Sequence, residues 1–384
     1  MTIVDVDSHV TEPPDLWTSR VSKKWGDLVP HVEWSDFSPQ NDGKGEFAWF
    51  IGDRKLGSAY SSACAGFDGQ FPNYARTPEE AHSAAWDPKE RLKILDESGV
   101  DREALYGNFG GFGSEGFLKL SEPELMTECL RAYNDFIIDF ASVDPARFIP
   151  IAVAPMWDVA LAVEEVQRAV ENGHMAISFS GAPHEFGYPR LADPYWEPLW
   201  VAIEECDVPL SFHIGSGDLS KSFSLELLAV ESPTIMYART AGEMLLDIGQ
   251  QLNALLFSGI LVRHPNLRFV CAESGIAWVP FLLDAADYHY LRGGVRREHP
   301  EFKELPSHYF HQQCAVTYWF ETVPLVVFEQ IGYDNIMFET DFPHPTCLWR
   351  GEVAEHVERG LGALPEVARQ KILRGNAERI YKLT

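Results

Sequence analysis

The sequence has no apolar run approaching the ~20 residues that cross a bilayer, so a spanning helix is not expected. No basic and apolar leader precedes Ile3-Val4-Asp5-Val6-Asp7, which predicts a cytoplasmic chain. Cysteine is scarce. The six, at 64, 129, 206, 271, 314 and 347, include no C-x-x-C pair, so reduced thiols are expected in place of disulfides or a structural zinc. Basic residues are also few, 31 Lys and Arg against 57 Asp and Glu, for a net charge of −26. Such a surface repels phosphate backbones and anionic lipid, so the expected partner is a small-molecule substrate, not nucleic acid or membrane. With 46% hydrophobic and 23% charged residues, the 384-residue chain has an ordinary globular composition.

What is present is a strand followed by a helix, repeated along the chain. Apolar runs at Ile3–Asp7, Val100–Tyr106, Phe148–Val153, Met175–Phe179, Pro209–His213, Arg268–Glu273, Gln313–Thr317 and Ile336–Glu339 read as eight strands. Helical spacing occupies Pro88–Gly99, Ser121–Ser142, Asp158–Glu171, Asp193–Glu205, about Gly242–His264, 276–290 and 323–331, then 351–360, 364–374 and 375–382. Parallel strands joined by right-handed helical crossovers, each strand buried on both faces, predict a (β/α)8 TIM barrel. An open doubly wound sheet would need a Gly-rich phosphate turn after the first strand, and none is present.

The repeat is interrupted once, between residues 10 and 87, within what reads as a single 1–384 domain. This stretch is rich in Gly, Pro, Ser and aromatics, among them Trp17, Trp25, Trp34, Trp49, Phe67 and Phe71. A long segment after the first strand lies on the carboxyl face of a barrel, where active sites are built. It is expected to form a lid or substrate wall, or else a surface excursion with a small core of its own.

Four strand ends carry side chains able to bind a metal. The first ends in Asp7-Ser8-His9, with Glu12 three residues on. The fifth ends at His213, the sixth at Glu273, and Asp341 and His344 follow the eighth. Alternate residues of a strand share a face, so Asp7 and His9 point to one spot. Carboxylates and imidazoles gathered at a barrel mouth repel one another or lie unsatisfied unless a cation joins them. Glu339, within the last strand, reads either as the partner of a ligand or as half of a core ion pair.

These segments, D-x-D-x-H-x-x-E-P, F-H-x-G and E-T-D-x-P-H before a closing N-A-x-R-I-Y, resemble the amidohydrolase-2 family. That family includes aminocarboxymuconate-semialdehyde decarboxylase and the resorcylate-type decarboxylases. The resemblance implies metal ligands at Asp7, His9, His213 and Asp341, and a homodimer. Two positions depart from it: Asp7 stands for the first His of H-x-H, and Glu273 stands where the decarboxylases carry His. No Lys lies between Glu171 and Arg190, so a bridging carbamylated lysine is not available there.

Asp7, Glu12, Glu273 and Asp341 carry four negative charges, enough to neutralise two divalent ions, while one ion would leave the buried pocket at net −2. The start, Glu273 and His344 look similar to a branch of non-haem di-iron monooxygenases that includes the platensimycin and platencin diterpenoid hydroxylase. That likeness implies two Fe and dioxygen, with Asp7, His9, Glu12, His213, Glu273, Asp341 and His344 as ligands and Glu273, Asp341 and His344 as catalytic residues. The implied substrate is a bulky apolar acyl-CoA in secondary metabolism. Insertion residues, with Trp278, Phe281, Trp319 and Trp349, would line its pocket, and Arg292, Arg296 and Arg297 would receive its phosphates. The rival expectation is a decarboxylase or hydrolase with one Zn or Mn, in which Asp341 or Glu273 moves the proton.

Overall fold

The computed structural model describes residues 2–38, 41, 43–69, 72–110, 112–222, 225–228 and 230–383. Its strands are β1 (Ile3–His9), β2 (His31–Ser35), β3 (Glu46–Ile51), β4 (Arg54–Ser58), β5 (Val100–Tyr106), β6 (Phe148–Val153), β7 (Ala176–Ser178), β8 (Leu210–His213), β9 (Phe269–Ala272), β10 (Cys314–Tyr318) and β11 (Ile336–Phe338). Eight of these close a parallel barrel in the order β1-β11-β10-β9-β8-β7-β6-β5. The barrel interior is filled by Val4, Val6, Ala104, Tyr106, Ile149, Ile151, Val270 and Met337, and plugged by Ile380 and Tyr381 of the last helix. A second, larger core packs the outer strand faces against the helices, anchored by Trp17, Trp196 and Trp200. Each such side chain removed from water contributes about 1.5–3 kcal/mol.

Local chemistry sets the crossovers. Asp87 accepts from Lys89 N and Glu90 N to start the helix Pro88–Ser98, and Gly99 stops it in a left-handed conformation at φ 69°. Strand β5 begins one residue later, so a full crossover closes without slack. The helix expected over Gly242–His264 runs instead from Pro233 to Leu256, because Ser232 caps it and Pro233 occupies its first turn. Gly259, at φ 76°, then separates it from the short turn Ile260–Arg263.

The insertion contributes the antiparallel sheet β2-β3-β4. Much of its buried apolar surface joins the barrel's outer core. Trp17, Trp49, Ile51, Tyr60 and Tyr74 are continuous with the large outer core, and Trp17 packs against Trp49 and Phe109 with centroids 5.0 and 4.4 Å away. Cys64 N and Ala65 N both donate to Pro343 O, tying the segment to the loop after β11. Phe71 lies outside the described residues.

Candidate metal centre

Strand β1 changes which residues face inward partway along its length. Val4 and Val6 line the barrel interior, so simple alternation would turn Asp7 and His9 outward. Pairing with β5 shifts between Asp5 and Ser8: Asp5 lies opposite Glu103, Ser8 opposite Leu105 and His9 opposite Tyr106. The extra residue on β1 re-aims Asp7 and His9 to the inside, as bulges beside active sites do. Asp5, left outside, accepts from Asp7 N at 3.1 Å and Thr340 N at 3.0 Å, and from the Thr340 hydroxyl at 2.5 Å. It thereby joins the end of β1 to the turn carrying Asp341. Asp341 N donates to Asp7 O and His9 N to Phe342 O, which completes the seam.

Two overlapping groups result: Asp7, His9, His213 and Glu273, and His9, Glu273, Asp341 and His344. Within each, one ligand atom per residue lies within 4.8 Å of the others. His9 Nε2 is 3.5 Å from Asp7 Oδ1 and 3.4 Å from Asp341 Oδ1. His213 Nε2 is 3.1 Å from Asp7 Oδ1 and 3.9 Å from Glu273 Oε2. His344 Nδ1 is 2.7 Å from Asp341 Oδ1, and its ring stacks on His9 at 3.8 Å. Glu273 and Asp341 both sit at positive φ, 51° and 61°.

The tautomers decide what fits among them. His9 Nδ1 faces Gly107 O at 3.2 Å and His213 Nδ1 faces Ile214 O at 2.8 Å. A carbonyl can only accept, so each Nδ1 carries a hydrogen, and in the neutral imidazole that a metal requires each Nε2 presents a lone pair to carboxylate oxygens. His344 repeats the pattern with its nitrogens exchanged, since Nε2 bonds Asn108 Oδ1 at 2.9 Å and Nδ1 faces Asp341. Asn108 donates its amide to Val10 O, which fixes that oxygen's identity. Acceptors therefore meet acceptors three times. Asp7 Oδ2, His9 Nε2 and Asp341 Oδ1 are buried without a hydrogen-bond partner. A divalent cation among them satisfies all of these lone pairs at once, and the fixed tautomers match metal-bound histidines.

The electrostatics point the same way. Burial and the charge of Asp341 raise the Glu273 carboxyl well above its ordinary range. Burial and Asp7 do the same to Asp341. Burial lowers His344 to about 4. Burial would also lower His213, but the Asp7 carboxylate overcomes it and lifts that imidazole to about 9. Without a metal, the pocket must take up protons in its place.

Other expected residues are placed elsewhere. Glu12 is outside both groups. Its Oε1 accepts from Asn108 N and Phe109 N, each at 2.8 Å, so it holds the loop after β5 and does not reach the centre. Burial, set against these bonds, raises it to about 7. Arg292 lies in the last turn of the helix Val279–Gly293, and Arg296 and Arg297 follow it; that helix carries the chain from the carboxyl to the amino ends of the strands. Its 15 residues span about 22 Å, so the arginines lie at the wrong end of the barrel to meet a substrate at the metal. Trp278 donates to Ser274 O at 2.8 Å and packs against Gly249, lining an outward groove with the exposed Phe281. Trp319 is buried just beyond β10, and Trp349 packs on Phe342, His82 and Gly66.

Three contributors were missed from the sequence. Phe112 stacks on His213 at 4.1 Å and meets His9 edge-on at 5.3 Å. Asn108 orients His344, and Arg91 binds His9 O while pairing with Glu103 at 3.0 Å. The Gly-rich run around residues 107–113 marks a loop but not its position over the imidazoles.

The Amidohydrolase family model matches residues 4–383. A gamma-resorcylate decarboxylase from Rhizobium sp. (strain MTP-10005) is 26% identical over 306 residues, covering 76% of this chain and 86% of that protein. Among solved structures, an amidohydrolase from Mycobacterium avium subsp. paratuberculosis K-10 superposes with TM-score 0.76 at 22% identity, covering 99% of this chain and 98% of the other. A dihydroxybenzoic acid decarboxylase from Polaromonas sp. JS666, with bound manganese and 2-nitroresorcinol, gives TM-score 0.60 at 19% identity over 100% and 97% of the two chains. These findings overturn the expectation of a di-iron monooxygenase. The curated relative spanning three quarters of the chain is a decarboxylase, and the metal-bearing relative holds manganese in place of two irons with dioxygen.

Proposed function

The chain belongs to the amidohydrolase family, and from that membership we propose that it is a metal-dependent, non-oxidative decarboxylase of a hydroxylated aromatic acid. The observation that carries the metal is the set of three imidazoles whose free lone pairs face buried carboxylates. The gamma-resorcylate decarboxylase relatives support the reaction. Asp7, His9, His213 and Asp341 would hold one manganese or zinc ion, with Glu273 and His344 beside it. Bound there, such an ion supplies Lewis-acid binding of the substrate carboxylate and phenolic oxygen.

Asp7, Asp341 and Glu273 together exceed the charge of one divalent ion by one, so one of them is best protonated. We assign that proton to Glu273, the one solvent can reach to replace it: its side chain is 13% exposed, whereas that of Asp341 is 1% exposed. Crowding by Asp341 and burial favour its neutral form. In the proposed reaction the bond from ring carbon to carboxyl breaks and carbon dioxide leaves. The ring carbon then takes the Glu273 proton, which solvent replaces. Phe112, packed on His213, and the insertion, bonded to the loop of His344, would wall the centre from water.

An acyl-CoA substrate has no support, since the arginines meant for its phosphates lie at the other end. The proposal includes a homodimer. Its support is the groove of about 380 Å³ beside the exposed Phe281, lined by Leu246, Gly249, Gln250, Asn253 and Ala254 without a charged residue. Light scattering reads the state directly.

Carbon dioxide release from 2,6-dihydroxybenzoate and related hydroxybenzoates by the manganese-loaded chain tests the reaction. Release proportional to metal content is expected. A metal-loaded chain that decarboxylates none of them but cleaves esters or amides would replace the proposal with a hydrolase.

A further inference from the structure

A fourth carboxylate lies beneath the centre and is not among the ligand atoms. Glu339 directly follows β11 and is fully buried, on the same inward face as Met337. Its Oε2 accepts from Glu273 N at 2.8 Å, and its Oε1 has no hydrogen-bond partner. Thr317 Oγ1 accepts from Ser274 N at 3.0 Å. Two successive amides of the turn after β9 are thus held from β10, its neighbour in the barrel, and from the end of β11, the next strand on.

That turn is unusual where it matters. Glu273 has φ 51°, a left-handed conformation disfavoured for a side chain branching from Cβ toward its own carbonyl. Such a residue keeps this geometry only when its surroundings over-determine it. The conformation brings Glu273 Oε2 to 3.9 Å from His213 Nε2 and into both candidate ligand groups. An extended residue at 273 would continue β9 and carry the carboxylate away from β1 and β8. The bond from Glu339 is the specific restraint on the Glu273 amide, and it comes from a strand that also delivers Asp341 two residues later.

We propose that Glu339 is a positioning residue of the metal centre, whose carboxylate locks the Glu273 turn so that the Glu273 carboxyl group faces the ion. The inference rests on the metal centre described above, but not on the identity of the reaction. It also favours one of the two sequence readings of Glu339, because among the described residues no cation is paired with it and its partner is the backbone of a candidate ligand.

Manganese affinity, measured by titration calorimetry on the full chain without turnover, tests it. Glu339→Ala should weaken manganese binding about 10- to 100-fold, the usual effect of removing the partner of a metal ligand. Glu339→Gln keeps an oxygen able to accept the Glu273 N–H and should stay within about threefold of the parent. In a Glu273→Ala background, Glu339→Ala should add nothing further, since the carboxylate it aims is gone. Equal losses in the Gln and Ala variants would show that charge is what matters, and would overturn the proposal. So would additive losses in the double variant, or an unchanged affinity in an alanine variant whose only defect is a lower melting temperature. A parent chain that binds no manganese would overturn the metal centre and this proposal together. A chain that binds manganese but decarboxylates nothing would sink the reaction and leave the Glu339 result standing.

Discussion

The two ends of the barrel use the same kinds of charged side chain to opposite effect. At the carboxyl ends of the strands, Asp7, His9, His213 and Asp341 are at most 1% exposed, with lone pairs facing lone pairs. At the amino ends, Glu204, Asp207, Arg268, Arg379 and Lys382 line an open cleft of about 520 Å³. There Lys382 pairs with Asp207 while both remain more than half exposed. Water satisfies charges at the amino end, where such pairs are worth about 0–1 kcal/mol. At the carboxyl end the ligand atoms are buried, and an ion would satisfy them. The difference lies in burial and in which nitrogen of each histidine is already used.

Removing one ligand should break this comparison most severely. Asp341→Ala takes away an acceptor shared by His9 and His344. Metal content should fall from about one per chain to near zero, with turnover down at least about 10²- to 10³-fold, the scale of losing a preorganised charge at a reacting centre. Elemental analysis beside carbon dioxide release reads both. Full occupancy in the variant would mean that the buried carboxylates are not what holds the ion.

Glu12 sharpens the line between binding an ion and holding a loop. Glu12→Gln retains an oxygen for Asn108 N and Phe109 N, so metal content should stay within about twofold of the parent. Its effect belongs to the pH dependence of stability. The folded carboxyl, raised by burial to about 7, holds a proton that an unfolded glutamate near 4.5 has lost. The folded state binds more protons in that window, so this group's contribution is fully present below pH 4.5 and is lost as pH rises through 7. The slope it adds is at most about 1.4 kcal/mol per pH unit. Urea unfolding at a series of pH values should show a flatter profile for the Gln variant. An unchanged profile would mean that Glu12 stays ionised when folded.

The metal's own contribution to folding should be somewhat smaller. At a free manganese concentration about 100 times its dissociation constant, binding to the folded state alone adds about 2.7 kcal/mol. Chelation should remove that increment in the parent chain. It should have no effect on Asp341→Ala, which carries no ion to lose. Equal chelator sensitivity in the two proteins would place the stabilising ion somewhere else.

How much of this was legible in the sequence follows from which interactions are local. The barrel strands read as continuous apolar runs because both of their faces are buried, and the candidate ligands stood out because they end such runs. Asp7 and His9 do face one spot, but through the bulge in β1, which nothing in Ile3–His9 marks. Glu12 follows the motif closely, yet by Val10 the chain has turned to bond Tyr106 O, and Glu12 points to the loop after β5. Phe112, Asn108 and Arg91 reach the centre through contacts across the barrel, which no spacing in one segment reveals. The di-iron reading failed for a related reason. Counting carboxylates in the sequence included Glu12, whose carboxyl oxygen serves backbone amides, and left out Glu339, which holds a turn.

The smallest effect expected is at the far end. Arg292, Arg296 and Arg297 are exposed, and the guanidinium of Arg297 pairs with Glu298 at 2.9 Å. Replacing all three with alanine makes the net charge more negative, from −26 to −29 (three positive charges removed). The helix Val279–Gly293 spans about 22 Å from the carboxyl-end face, which sets the scale of the separation from a substrate or ion at the metal centre. Across that distance in water each unit charge contributes only about 0.2 kcal/mol before screening. A Debye length of about 8 Å at physiological salt removes most of it. Manganese affinity and turnover on a hydroxybenzoate should therefore stay within about twofold, and stability within about 0.5 kcal/mol. A large rise in KM for the substrate, with manganese affinity unchanged, would show that the arginines reach the substrate after all. The two ends of the barrel could then no longer be treated as independent.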